Sequence, residues 1–190
     1  MFLVSAGGGN PKELIGEERN EADPTWSPDG NTLAFGRLPF FEYGSSGGVT
    51  IQVLDLRTGQ VTTFPGSDGL YSPRWSPDGR YLVAMPVDSS KLMLFDFKTK
   101  KWSELAKGSF TFPNWSHDGK YLYVEDLSQG DEMRRVNIAS RRIENIANLK
   151  QLRRPSGFIG DWSAPDYDGS PTVIRDAGIE EIYALEMSVH

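Results

Sequence analysis

The chain has 190 residues, 38% of them hydrophobic and 12% aromatic, a supply that supports one folded domain with its own core rather than disorder. A net charge of −6 and a pI near 5.0 argue against general affinity for nucleic acid or an anionic membrane surface. The absence of cysteine excludes disulfides, thiolate catalysis and Cys-ligated metals, and no apolar run approaches the roughly 18 residues of a membrane span.

In chain order, Met1–Ala6 and Lys12–Glu17 read as two short strands around a Gly7-Gly8-Gly9 turn. No Lys-Ser/Thr pair and no helix follow those glycines, so they are not a phosphate loop. From residue 21 the chain repeats itself. Pro24-Thr25-Trp26-Ser27-Pro28-Asp29-Gly30, Pro73-Arg74-Trp75-Ser76-Pro77-Asp78-Gly79 and Pro113-Asn114-Trp115-Ser116-His117-Asp118-Gly119 align without gaps. Asp161-Trp162-Ser163-Ala164-Pro165-Asp166-Tyr167-Asp168-Gly169 is a longer form of the same element. The tryptophans stand 49, 40 and 47 positions apart, the period of a four-stranded propeller blade.

Each part of the repeat has a mechanical role. Proline is confined to strand starts and edges, so Pro24, Pro73 and Pro113 are expected to open a first strand. Ser-Pro-Asp-Gly suits a tight turn, with proline presetting φ and glycine taking the left-handed position. Second strands follow at Thr32–Phe35, Tyr81–Ala84 and Tyr121–Val124, and third strands at Ile51–Leu56, Leu92–Phe97 and Met133–Ile138. Fourth strands are expected near 60–65, 101–106 and 142–147. Asp55, Asp96 and Asn137 share one column before the third turn, where a side-chain oxygen bonds the turn's own amides. The recurring tryptophans are expected to pack between blades. Pro171–Ile174 and Glu181–Met187 read as second and third strands of a last unit. The second strands are apolar on both faces, which favours blades covered on two sides over a sandwich with one wet face.

The expected fold is therefore an all-β propeller of about four blade equivalents. Three whole blades span 21–65, 71–106 and 111–148, flanked by partial ones at 1–17 and 160–190. The last partial blade lacks only a fourth strand while the first offers a third and a fourth, one strand too many for a smooth four-bladed ring. The expectation is a part of a larger propeller, or a homodimer that joins open blade edges.

The Pro-x-Trp-Ser-Pro-Asp-Gly motif, the Asp55–Gly59 turn and the Gly8-Gly9-Asn10-Pro11-Lys12 run resemble the WD40-like propeller repeat of TolB-type proteins. The resemblance covers nearly the whole chain and implies the C-terminal part of a longer bacterial propeller. It also implies a scaffold for protein or ligand recognition, such as the sensor portion of a regulator or an envelope protein. The alternative it implies is the substrate-gating cap of a prolyl oligopeptidase-type peptidase. Met1–Gly9 lacks the basic leader and apolar length of a secretory signal, which leaves periplasm and cytoplasm both open.

No catalytic constellation, cofactor or metal site is expected. There is no Gly-x-Ser-x-Gly elbow, and the two histidines are His117, in a repeat turn, and His190, the last residue. Asp166-Tyr167-Asp168-Gly169 opens like a calcium loop but lacks the later acidic ligand, so it reads as an enlarged turn. Meander topology puts the short first-to-second and third-to-fourth turns on one rim. The irregular segments 36–48, 66–72, 107–112 and 149–160 fall on the other, where binding residues concentrate. The candidates for a protein partner or small ligand on that loop rim are Phe40, Phe41, Tyr43, Tyr71, Phe110, Arg153 and Arg154.

Overall fold

A computed structural model describes residues 1–16, 21–37, 48–155 and 162–178 of the chain. Three four-stranded antiparallel sheets follow one another in sequence. The first holds β3 (Glu21–Trp26), β4 (Thr32–Arg37), β5 (Thr50–Asp55) and β6 (Val61–Thr63). The second holds β7 (Leu70–Trp75), β8 (Tyr81–Pro86), β9 (Lys91–Asp96) and β10 (Lys101–Lys107). The third holds β11 (Phe110–Trp115), β12 (Tyr121–Asp126), β13 (Glu132–Asn137) and β14 (Ile143–Asn148), with one 3₁₀ turn at Leu127–Gln129. Two-stranded sheets lie before and after them: β1 (Phe2–Leu3) with β2 (Lys12–Glu13), and β15 (Ser163–Pro165) with β16 (Pro171–Val173). Glu181–Met187 lies outside the described residues.

The turn chemistry repeats atom for atom. Gly30, Gly79 and Gly119 take φ of 69°, 72° and 68°, which only glycine adopts without strain. Their N–H groups donate to Ser27, Ser76 and Ser116 carbonyls at 2.9, 2.9 and 3.0 Å. The same serine hydroxyls donate to Asp29, Asp78 and Asp118 at 2.5, 2.6 and 2.8 Å. Each hydroxyl also accepts the first N–H of the second strand, from Thr32, Tyr81 and Tyr121 at 3.0, 2.8 and 3.0 Å. The Ser27 hydroxyl lowers the pKa of Asp29 to about 2, while the Lys120 amide followed by the Ser116 hydroxyl lowers that of Asp118 to about 2. Serine and aspartate recur because each closes the other's hydrogen bonds. The third-turn column behaves alike: Asp55 accepts from Arg57 N–H at 2.8 Å, Asp96 from Lys98 at 2.7 Å, and Asn137 from Ser140 at 2.8 Å.

The prolines do not open the strands. Pro24, Pro73 and Pro113 sit inside β3, β7 and β11, at a bulge where pairing shifts register between Ala22 and Thr25, Tyr71 and Arg74, and Thr111 and Asn114. The preceding Asp23, Ser72 and Phe112 are left-handed, with φ of 53°, 51° and 50°. A residue without N–H fits where the ladder is already interrupted.

Side chains alternate between the two faces of each sheet, and both faces are covered. Leu82 and Ala84 of β8 pack with Ala34, Ile51 and Phe64 of the first sheet, while Val83 and Met85 pack with Phe110, Leu122, Val124 and Val136 of the third. Two motif tryptophans serve these seams. Trp75 stacks on Phe97 at 5.2 Å and 5°, and Trp115 on Tyr81 at 6.4 Å and 14°, its Nε1 donating to the Arg74 carbonyl at 2.9 Å. The other two do not: Trp26 is 47% exposed, and Trp162, 39% exposed, stands three residues ahead of Pro165, which takes the last ladder position that Trp26, Trp75 and Trp115 hold in their sheets.

Candidate functional site

The described loop rim is organised around charge. Glu125, near the end of β12, is fully buried and accepts from both terminal nitrogens of Arg154, at 2.9 and 2.7 Å. This bidentate pair fastens the segment that leaves β14 to the third sheet. Next to Glu125 in sequence, Asp126 accepts from Ser128 N–H at 3.0 Å, capping the 3₁₀ turn, and meets Arg134 at 2.9 Å. Arg134 in turn pairs with Glu132 at 2.7 Å. Arg153 pairs with Asp176 at 3.0 Å, and the Asp176 amide donates to the Arg153 carbonyl at 2.8 Å. Buried, paired charges are held rigidly in one geometry, which suits a recognition surface more than a mobile loop would.

The expected binding residues part company here. Phe40, Phe41 and Tyr43 lie outside the described residues. Phe110 is fully buried between the second and third sheets, so it is a core residue and presents no surface. Its place as the first residue of β11 turns it inward. Tyr71 is half-buried against the same cluster. Arg154 has a side chain only 10% exposed and is spent on Glu125, leaving Arg153, at 55%, as the exposed basic residue of the pair.

Glu125, Asp126 and Arg134 were not singled out from the sequence, though a signal existed. Glu125 falls in the column of Gly36 and Met85, and a charge in an apolar column asks for a buried partner. The rest of that face changes with it. The cross-strand row Ala34–Val53–Thr62 of the first sheet and Val83–Leu94–Ser103 of the second becomes Tyr123–Arg135–Glu144 in the third. On the face that the third sheet turns toward β15–β16 this row is therefore polar where its two counterparts are mainly apolar, beside an apolar cluster in which Met133 and Leu149 pack with Val173.

Ser116 spends its hydroxyl on Asp118 and Tyr121, and His117 lies against the Tyr167 ring at 4.3 Å. Among the described residues, no group of three or more His, Asp or Glu side chains is arranged to hold a metal, and no helix is long and apolar enough to cross a membrane.

No protein-family model matches the chain. Over 60 residues it is 37% identical to the Tol-Pal system protein TolB of Alcanivorax borkumensis, a stretch that covers 32% of this chain and 13% of that protein. Its structure is similar to that of TolB from Acinetobacter baumannii, with a TM-score of 0.70 at 20% identity, covering 93% of this chain and 48% of that one. A putative TolB from Agrobacterium tumefaciens gives a TM-score of 0.67 at 18% identity, covering 90% and 72%. The chain thus spans about half the length of the first of these structures. The fold of this chain, with three successive four-stranded sheets whose first and second strands are joined by the same Ser-x-Asp-Gly turn, is that of the TolB-type β-propeller.

Proposed function

We propose that this propeller is a non-enzymatic recognition scaffold whose loop rim binds a protein or ligand, as the interaction or sensor portion of a larger bacterial regulator or envelope protein. The observation that carries this reading is the buried Glu125–Arg154 fork beside Asp126–Arg134–Glu132, which holds the loop rim of the third sheet in one shape. Loop residues of the third sheet fixed in this way meet a partner with little ordering entropy left to lose. The partner-facing residues in this reading are Phe40, Phe41, Tyr43, Tyr71 and Arg153. Within the same reading, two copies associate through their outer ends, where Phe2 and Val4 are 61% and 56% exposed and Ile174 40%.

The test compares wild type with a Phe40→Ser, Phe41→Ser, Tyr43→Ser, Arg153→Ser variant in affinity capture from a bacterial extract. Loss of one reproducible partner at unchanged Tm is the expected result. Equal capture by both proteins overturns the assignment of faces, and turnover of prolyl p-nitroanilide substrates by the wild type overturns the non-enzymatic reading.

A further inference from the structure

The repeat fails at one place, and a cavity of about 240 Å³ sits there. At the first two junctions each turn packs on its neighbour through proline and glycine. A Cβ on Gly79 would meet Pro28 at 3.5 Å, and one on Gly119 would meet Pro77 at 3.8 Å. At the third junction the proline is replaced by His117, and the facing Asp166–Gly169 turn, closed by the same glycine-to-first-residue bond at 2.9 Å, carries Tyr167 at the proline position and sets it against His117 with ring centroids 4.3 Å apart. Gly169, at φ 86°, lies so close to Tyr123 that a Cβ would stand 2.6 Å from its hydroxyl. Below the two turns, the row that is mainly apolar in the other sheets is Tyr123–Arg135–Glu144. Ser116, His117, Tyr121, Tyr123, Arg135 and Tyr167 line the space between, together with Asp118 and Asp168. Changes in two turns and one sheet face, far apart in sequence, meet on a single hollow.

The charges around it select the ligand. Arg135 is held by Glu144 at 2.8 Å, so it offers no free cation to an anion. Asp118 is matched by Lys120 at 3.1 Å; Asp168 accepts from Ser170 N–H at 2.8 Å and keeps its negative charge, which disfavours an anion and suits a ligand hydroxyl as donor. The Tyr121 face that a ligand cation would need is covered by the Arg135 guanidinium, 4.2 Å from the ring centroid. What remains is the His117–Tyr167 aromatic wall, the Tyr123 hydroxyl, which accepts from Arg135 at 3.5 Å and keeps its own proton to donate, and polar groups that donate or accept. That set matches a ring-sized neutral body with an apolar C–H face and a rim of hydroxyls.

We propose that the cavity between the Ser116–Gly119 and Asp166–Gly169 turns binds one neutral pyranose ring of a saccharide. The site lies on the turn rim and is independent of the loop-rim partner. It is tested on the full chain by ¹H–¹⁵N spectra titrated with methyl glycosides of glucose, galactose and N-acetylglucosamine and with their β-linked trisaccharides. Glutarate and Nα-acetyl-lysine amide serve as anionic and cationic probes. The expected result is saturable shifts at His117, Arg135 and Gly169 with one sugar, weakened by about tenfold or more in both Tyr167→Ala and His117→Pro. His117→Pro restores the residue of the other two turns, so an unchanged melting curve is expected for it. The tighter of glycoside and trisaccharide identifies a free sugar or a glycan end as the source. No saturable shift with any sugar, saturation only by glutarate or the lysine amide, or sugar binding unchanged in both variants overturns the proposal.

Discussion

Arg154 grips Glu125 with both terminal nitrogens, at 2.9 and 2.7 Å, although Glu125 stands in the column that Met85 fills in the second sheet. Removing one partner of such a pair strands a charge out of water. Arg154→Ala and Glu125→Met should each destabilise by about 3–5 kcal/mol in urea unfolding, while Glu125→Met with Arg154→Met should recover most of that loss. A double variant no better than the singles would show that the pair does more than satisfy itself.

Acid should loosen the turns. The folded-state values of Asp29 and Asp118 lie at about 2 against an ordinary 3.8, so the native turns favour the ionised form. Their contribution to stability is complete above about pH 4 and is lost as pH falls toward 2. Thermal melts across that window should show falling Tm, and Asp29→Asn with Asp118→Asn should flatten the slope. Hydrogen bonds within each turn cause most of the lowering, so the effect should change little in high salt.

The left-handed residue ahead of each bulge proline makes a separate prediction. Ser72 is buried with φ of 51° and precedes Pro73. Ser72→Gly should change stability by less than about 1 kcal/mol, since relief of the left-handed strain offsets the greater freedom of the unfolded chain. Ser72→Val should cost about 1–3 kcal/mol, because a β-branched residue resists that conformation. Equal effects in chemical denaturation would mean that the bulge is not the constraint.

The four repeat tryptophans should not be equivalent. Trp115→Ala removes a stack on Tyr81 and a hydrogen bond to Arg74, and should cost about 3 kcal/mol. Trp162→Ala, at a position 39% exposed, should cost less than half as much by the same measurement.

These cases show where the sequence was legible. Turns written by one local rule, Ser-x-Asp-Gly and the Asp55–Asp96–Asn137 column, could be read to the atom, because their hydrogen bonds close within a few residues. Burial could not be read as well. Phe110 and Arg154 looked like surface candidates in irregular segments, yet one fills the seam between two sheets and the other meets a carboxylate 29 positions away. Trp162 looks like a fourth copy of the motif tryptophan, yet the strand register gives that position to Pro165, three residues on, and sequence alignment alone could not set that register. The cavity was visible in the columns as His117, Tyr123 and Arg135 breaking pattern. It needed the sheet register to show that the breaks face one another.

The bulge on the first strand of each four-stranded sheet has one more effect. In the strand orders, β3, β7 and β11 each lie at a sheet edge. An edge strand is an open template for an incoming peptide, which would zip on by backbone hydrogen bonding whatever its sequence. Pro24, Pro73 and Pro113 delete a donor there, and the left-handed residue before each turns the neighbouring amide out of line. Augmentation by a fifth strand is blocked three times over. Whatever enters beside these strands must be gripped by side chains alone, so its identity, and not merely its extended shape, decides whether it stays.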